Sequence, residues 1–349
     1  MAAHSRTIEQ RIEVIPNEIY IHAIPLLMDN IGYLIVYLNH SNSKNDDGDE
    51  SDVITGMIVD ASDADDIYDA IDHIQDVHYN STKIEVTCIL STHKHHDHTA
   101  GNYALMNEYY KESCTRVYGG AIERVPCCTH QVKNGDFVDL PLGTRGFVDM
   151  LVIAVPSHTR GSVVYALRKK GHGSDEGVIH LFTGDVIFCA GGGVPFESDH
   201  QTPNSLKPTA GFNSVERCFA QILAKSGSTS TALIYPGHEY STELLYRQFD
   251  PKNDHGKHWH HLSPSFFFET AHQFFLSSHR RALTKGTKLL NVPTPMSREL
   301  KINPHFRALR RRGKHLINAL NIWKQMLNQE ELTHIQQFSS QSSSSTQPN

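Results

Sequence analysis

The first half of the chain alternates short apolar, β-branched runs with polar breaks. Residues 19–24, 31–38 and 54–60 are rich in Ile, Val, Leu and Tyr and are bounded by turn residues, the pattern of strands. Between the last two, residues 39–52 are polar and acidic and contain Gly48, which predicts a solvated hairpin tip. Residues 64–75 carry apolar side chains at helical spacing, with Ser62 or Asp63 placed to cap the helix. A buried strand is expected over 85–90 and a helix over 102–111. Short strands follow near 115–118, 137–140, 147–155, 162–167, 178–183 and 231–235, with a hairpin turn at 169–177 and a helix at 214–224. After about residue 240 the strand pattern fades, and 241–249, 264–283 and 307–332 read as helices. The expected organisation is therefore an α/β body over 1–245 and a mostly helical C-terminal domain over 246–337. A low-complexity, disordered tail is expected at 338–349. There is no internal repeat.

At 349 residues the chain is long enough for a sizeable buried core. A formal net charge of -6 argues against broad contact with a phosphate backbone, so nucleic acid is not an expected partner. No segment approaches the roughly 20 apolar residues of a membrane span, and no basic start leads into a sustained apolar run. A soluble, monomeric, cytoplasmic protein is the expectation. A mitochondrial form stays open, although the opening MAAHSRTIEQR holds an acid and few arginines. Six cysteines in a chain of this length do not make a disulfide framework. Cys88, Cys189 and Cys218 lie in apolar runs and read as core; the adjacent Cys127 and Cys128 lack the spacing of a zinc or redox pair.

The unusual count is 24 histidines, which matters only where they cluster with carboxylates. One cluster, DHGKHWHH at 254–261, has no strand behind it and no carboxylate at ligand spacing beyond Asp254, so an exposed loop is expected there. The other is THKHHDHTAGN at 92–102. The strand before it would deliver His93, Lys94, His95, His96, Asp97 and His98 into one tight turn. Any one of these histidines alone would read as a surface residue. Four histidines and an aspartate within six residues, directly after a buried strand, are hard to explain as packing. Neutral imidazole and carboxylate are ligands that suit zinc and, with less preference, iron or manganese. His93 and His95, two apart, can share a face, and Asp97 and His98 can serve a neighbouring point.

Three further strand ends supply partners: Ser157–His158–Thr159, Gly184–Asp185 and Gly237–His238–Glu239–Tyr240. Each follows an apolar run and a small or turn residue, where loop-borne functional groups sit. Taken singly, Asp185 could cap a turn and His158 could lie on the surface; together they form a spaced set.

THKHHDH followed by SHTRGS, TGD and PGHEY resembles the metallo-β-lactamase superfamily. Within it the TAGN, the GHEY and the later INPHFR resemble glyoxalase II, the hydroxyacylglutathione hydrolases. The resemblance runs from about residue 19 to 307 and implies a four-layer αββα sandwich with a helical C-terminal domain. It also implies two divalent ions, with zinc expected and iron or manganese open. His93, His95 and His158 would hold the first, Asp97, His98 and His238 the second, and Asp185 would bridge both. His96 falls at a variable motif position and is not counted as a ligand.

Two cations there would make a water nucleophile available at neutral pH, since one zinc alone lowers the pKa of water from about 15.7 to about 7. Asp97 and Asp185 would be the catalytic carboxylates, and the implied reaction is hydrolysis of a glutathione thioester such as S-D-lactoylglutathione. No serine lies in a GxSxG context, so no serine nucleophile competes with this scheme. Tyr240 stands at a glutathione-contact position of the family. Arg311 and Lys314 have the spacing of its basic pair, although a solvated helix face explains a charge run equally well. Where the family carries a basic residue and an aromatic pair after its Gly-Asp motif, this chain has Val194, Pro195 and Phe196. Loss of one charge-assisted hydrogen bond there would weaken glutathione binding by roughly ten- to a hundredfold. The alternatives are hydrolysis of a different thioester, a persulfide dioxygenase with a single iron, and a non-catalytic member of the fold.

Overall fold

In the computed structural model the described residues are 10–39, 53–141, 148–169, 178–194, 196–197, 232–241, 244, 292–303 and 306. The architecture follows from strands that are apolar on both sides and must therefore be covered on both faces. Among the described residues, one sheet has the order β1 to β7, namely β1 (Gln10–Ile15), β2 (Ile19–Leu26), β3 (Asn30–Asn39), β4 (Val53–Val59), β5 (Ile84–Leu90), β6 (Arg116–Gly120) and β7 (His130–Val132). Its first four strands pair antiparallel and the rest parallel. The second sheet has the order β12-β11-β10-β9-β8, with β8 (Val148–Ala154), β9 (Val163–Lys169), β10 (Ile179–Gly184), β11 (Ala232–Pro236) and β12 (Thr294–Pro295). Because β9 is antiparallel to both β8 and β10, and β11 is parallel to β10, the C-terminal ends of β8, β10 and β11 lie together.

The sheets pack face to face over Ile21, Tyr33, Ile35, Leu90, Val152, Tyr165, Phe182 and Tyr235. The outer face of the first sheet is covered by α1 (Ala64–His78), which buries Ala64, Ile67, Ile71 and Ile74 against Leu34, Val36 and Ile89. Asp63 caps this helix, its carboxylate accepting from the Asp66 N–H. The outer face of the second sheet is covered by α4 (Met296–Ile302) and Phe306, with Met296 and Phe306 against Leu181 and Ile234. The layers are thus helix, sheet, sheet, helix, the αββα sandwich expected above.

Local differences from the sequence pattern have physical causes. The helix expected over 102–111 is one turn of α3 (Asn102–Ala104) passing into a π-helical turn, Leu105–Tyr109. The strand expected at 137–140 is reduced to a single bridge, Phe137 to Leu151. β1, β7, β12 and α4 were not anticipated. The first is a half-exposed edge, the next two hold three and two residues, and α4 spans only two turns. Within the region 246–337, the described part supplies β12 and α4 to the sandwich itself. The helices expected at 264–283 and 307–332, the His-rich run 254–261, the tail, Arg311 and Lys314 lie outside the described residues. No helix among the described residues is long and apolar enough to cross a membrane.

Candidate metal centre

The loops at one end of the sandwich are held by the core beneath them. Tyr165 donates its hydroxyl to the Ser91 carbonyl at 3.1 Å, and Tyr33 donates to the Pro236 carbonyl at 2.6 Å. These carbonyls immediately precede Thr92–His93 and Gly237–His238. Two backbone bonds then stitch the sheets together, Val163 N–H to Thr92 O and Ile31 N–H to Gly237 O, while Gly237 N–H to Gly184 O joins the ends of β11 and β10. The side chains that leave these loops are therefore preorganised by packing and not by one another.

Seven of them converge. His93 Nε2 and His158 Nε2 lie 3.0 and 2.9 Å from His95 Nδ1. His98 Nε2 lies 3.2 Å from His238 Nε2, and the Asp97 carboxylate is 3.5 and 3.3 Å from these two nitrogens. Asp185 reaches both groups, with Oδ1 3.2 Å from His98 Nε2 and Oδ2 3.4 Å from His158 Nε2. Donor atoms of His93, His95 and His158, of His93, His98 and Asp185, and of Asp97, His98 and His238 each fall within 4.8 Å of one another. All seven residues expected as ligands are thus brought together; His96, on the short helix α2 (His96–Thr99), is exposed and outside the groups.

The donor set fits divalent cations. Imidazole nitrogens facing one another at about hydrogen-bond distance have more lone pairs than protons to share. Asp185 Oδ1 is buried without an aligned hydrogen bond. The opposite ring nitrogens are each held by an acceptor: His93 Nδ1 by the Thr92 hydroxyl, His98 Nδ1 by Asp60, His158 Nδ1 by the Val194 carbonyl and His238 Nδ1 by Asp29. A proton at each Nδ1 leaves each Nε2 lone pair aimed inward, which is how ligating histidines are oriented.

The electrostatics of the side chains reflect how closely these charges are packed. Burial disfavours the His238 imidazolium, but hydrogen bonds to Asp185 and Asp97 prevail and raise its pKa to about 9. Burial likewise opposes His98, and Asp185 and Asp60 overcome it and raise its pKa. Burial lowers His93 and His158. Asp97 is lowered by its hydrogen bond to His238, and Asp185, against its burial, by the His98 charge and His238.

Three orienting residues have no signal in the sequence. Asp60 follows β4 with a positive φ of 56°. It accepts from Thr92 N–H and Oγ1 at 2.8 Å each, and from His98 at 3.1 Å. Asn30 donates to both the carbonyl and the carboxylate of Asp97, at 2.9 and 3.1 Å. Asp29 binds His238 at 2.8 Å, while its own carbonyl accepts from Glu239 N–H. Asp29 stands in the turn before β3, Asn30 at the first position of β3 and Asp60 in the connection from β4 to α1, where a lone Asp or Asn reads only as turn chemistry.

Of the expected substrate residues, Tyr240 sits beside the clusters, and Arg311 and Lys314 lie outside the described residues. The Tyr240 ring is stacked on His238, with centroids 4.7 Å apart at 7°, and Phe188 meets both rings. Phe196, 69% exposed, lies against His158 and His95 at 5.2 and 6.3 Å, and Val194 is 60% exposed. Asn303 of the INPHFR run donates to the Gly191 and Phe188 carbonyls, pinning the loop after Asp185.

The sandwich, with its histidine and aspartate clusters at the strand ends, has the layer order and donor arrangement that the metallo-β-lactamase resemblance implies. Its sequence relatives are proteins named hydroxyacylglutathione hydrolase, so the likeness is to glyoxalase II. It is similar to the cytoplasmic hydroxyacylglutathione hydrolase of Arabidopsis thaliana, with 29% identity over 289 residues, 81% of this chain and 86% of that protein. The hydroxyacylglutathione hydrolase of Prochlorococcus marinus is 26% identical over 289 residues, 82% of this chain and 89% of that protein. With the Nitrosomonas eutropha protein of the same name the match is 29% over 172 residues, about half the length of each: 49% of this chain and 55% of that protein. Among solved structures, a metallo-β-lactamase from Staphylococcus aureus aligns with a TM-score of 0.44 and 17% identity, covering 87% of this chain and 66% of that one. No family model matches the chain.

Proposed function

We propose that this chain is a binuclear metal-dependent hydrolase of a glutathione thioester, S-D-lactoylglutathione being the representative substrate. The observation that carries the reading is the pair of ligand clusters joined by Asp185. His93, His95 and His158 would hold one ion, Asp97, His98 and His238 the other, and the Asp185 carboxylate, within reach of His158, His98 and His238, would bridge them. The relatives named hydroxyacylglutathione hydrolase support the choice of reaction. Zinc is the ion proposed, since imidazole and carboxylate donors suit it.

Bound there, the ions would supply an ionised water near neutral pH and positive charge for the developing oxyanion. The protein's own part is to hold the donors rigid and to place the ester beside them. Asp97 is the ligand carboxylate with most solvent access, its side chain 42% exposed, and so the one placed to exchange protons with bulk water. A thiol leaves as its thiolate, with a pKa of about 8.5 for a cysteine-like thiol, so no acid has to be aimed at the leaving sulfur. Tyr240 and Phe196 present ring surfaces against the two clusters and flank the substrate.

The test is a thioester panel assayed on protein of defined metal content: glutathione esters against coenzyme A esters and simple thiol esters. A clear preference for the glutathione ester is expected. Equal rates on all three would show that Val194 and Phe196 have redirected the pocket.

A further inference from the structure

Glu123 is a buried carboxylate that belongs to neither ligand cluster. It stands on the loop after β6, in the first sheet, yet its bonds go to the second. Its Oε1 accepts from the Gly161 N–H at 2.9 Å and from the Thr159 hydroxyl. Both donors lie on the turn that follows β8 and presents His158. Gly161 packs directly on it, and a Cβ at 161 would collide with Glu123 Cγ and lie 2.9 Å from its backbone nitrogen. The Thr159 N–H, donating to Ser162 Oγ at 3.0 Å, closes the turn on itself.

The other oxygen, Oε2, is buried with no hydrogen-bond partner and faces Lys94 Nζ at 3.8 Å. Lys94 stands between His93 and His95. It also pairs with Glu197 at 2.5 Å, and the second oxygen of Glu197 accepts from the Arg160 N–H at 3.1 Å. Three segments around the first cluster are thus joined by one charge network: residues 93–98, the turn 157–162, and Glu197 beside Phe196.

We propose that Glu123 and Lys94 are a positioning pair for the first cluster. The carboxylate fixes the turn that presents His158, and the ammonium draws the His93–His95 segment towards it, so that imidazoles from two sheets meet at one point. The inference rests on the metal reading of that cluster. It follows from what the charge is needed for. A glutamine oxygen could still accept the Gly161 and Thr159 hydrogen bonds, more weakly than a carboxylate; the contact with Lys94 is the one that requires the charge. A buried carboxylate oxygen with no hydrogen bond is unfavourable unless a cation answers it, and Lys94 is that cation. Residues that orient metal ligands from behind typically change affinity by roughly 10–100-fold when altered.

The experiment uses the full chain stripped of metal, with zinc affinity measured by competition against a chromophoric chelator and ligand geometry read from the visible bands of the cobalt-loaded protein. Glu123→Gln and Lys94→Met are each expected to weaken one of the two ions by roughly tenfold or more, leave the other unchanged, and shift the cobalt bands. Their metal-free melting midpoints should stay close to that of the wild type. Lys94→Met serves alone should Glu123→Gln fail to fold. The proposal is overturned if the variants bind both ions with wild-type affinity and spectra. It is also overturned if they lose both ions in step with a lowered melting midpoint. A wild-type chain that takes up no zinc would instead contradict the metal reading itself, so the two failures are distinct.

Discussion

At the scale of single residues, the candidate ligands and the groups that aim them differ in how they are written into the chain. His93, His95, Asp97 and His98 are adjacent in sequence, and His158, Asp185 and His238 each follow an apolar run, so all seven were legible as chemistry. Asp60, Asp29 and Glu123 were not. Their roles exist only because folding brings them to Thr92 and His98, to His238, and to Gly161, up to 209 residues away in the chain. Asp60 tests this layer. Its Oδ2 serves both the Thr92 hydroxyl and His98 Nδ1, so Asp60→Asn removes the charge that fixes the His98 tautomer. Zinc affinity measured by chelator competition is expected to fall by roughly 10–100-fold. An unchanged affinity would show that the orientation of His98 is set by packing alone.

At the scale of elements, strands were legible where β-branched runs were long, as in β2 to β5 and β8 to β11. Short pieces such as β7 and β12 were not, because tertiary pairing and not local preference makes them strands. Two consequences of strand context can be measured. β10 ends at Gly184 with φ of +47°, and a Cβ there would lie 2.7 Å from Thr92 Cβ. Gly184→Ala therefore adds backbone strain and displaces the residue that anchors Asp60, and a loss of about 1–3 kcal/mol in denaturant titration is expected.

His180, also on β10, is buried with Nδ1 2.7 Å from the Tyr235 hydroxyl, and burial pushes its pKa down to about 4. Its folded value lies below the ordinary value of 6.5. The neutral ring is thus favoured in the fold, and the stability it contributes is complete above pH 6.5 and lost as pH falls towards 4. Over that window the wild type should lose more stability than His180→Gln, by up to about 3 kcal/mol. Parallel pH profiles for the two would contradict the assignment.

At the scale of the whole molecule, the αββα order was legible from a resemblance carried by a few short motifs, and the packing explains why those motifs suffice. Two sheets covered outside by α1 and α4 leave the C-terminal strand ends open at one edge, and the candidate ligands sit on loops and on the short helix α2 at that edge. Tyr33 and Tyr165 tie the core to these loops, so the sandwich and the site are one structure. Substrate preference was less legible. Val194 and Phe196, which stand at the family's glutathione-contact positions, are exposed, so the fold does not constrain their identity. The central claim, two ions acting together on a thioester, is tested most directly by following thiol release from S-D-lactoylglutathione as zinc is returned stepwise to metal-free protein. The account predicts no release without metal and a rise to a plateau at two equivalents of zinc. A plateau at one equivalent, release undiminished in the metal-free protein, or no release at any loading would contradict it.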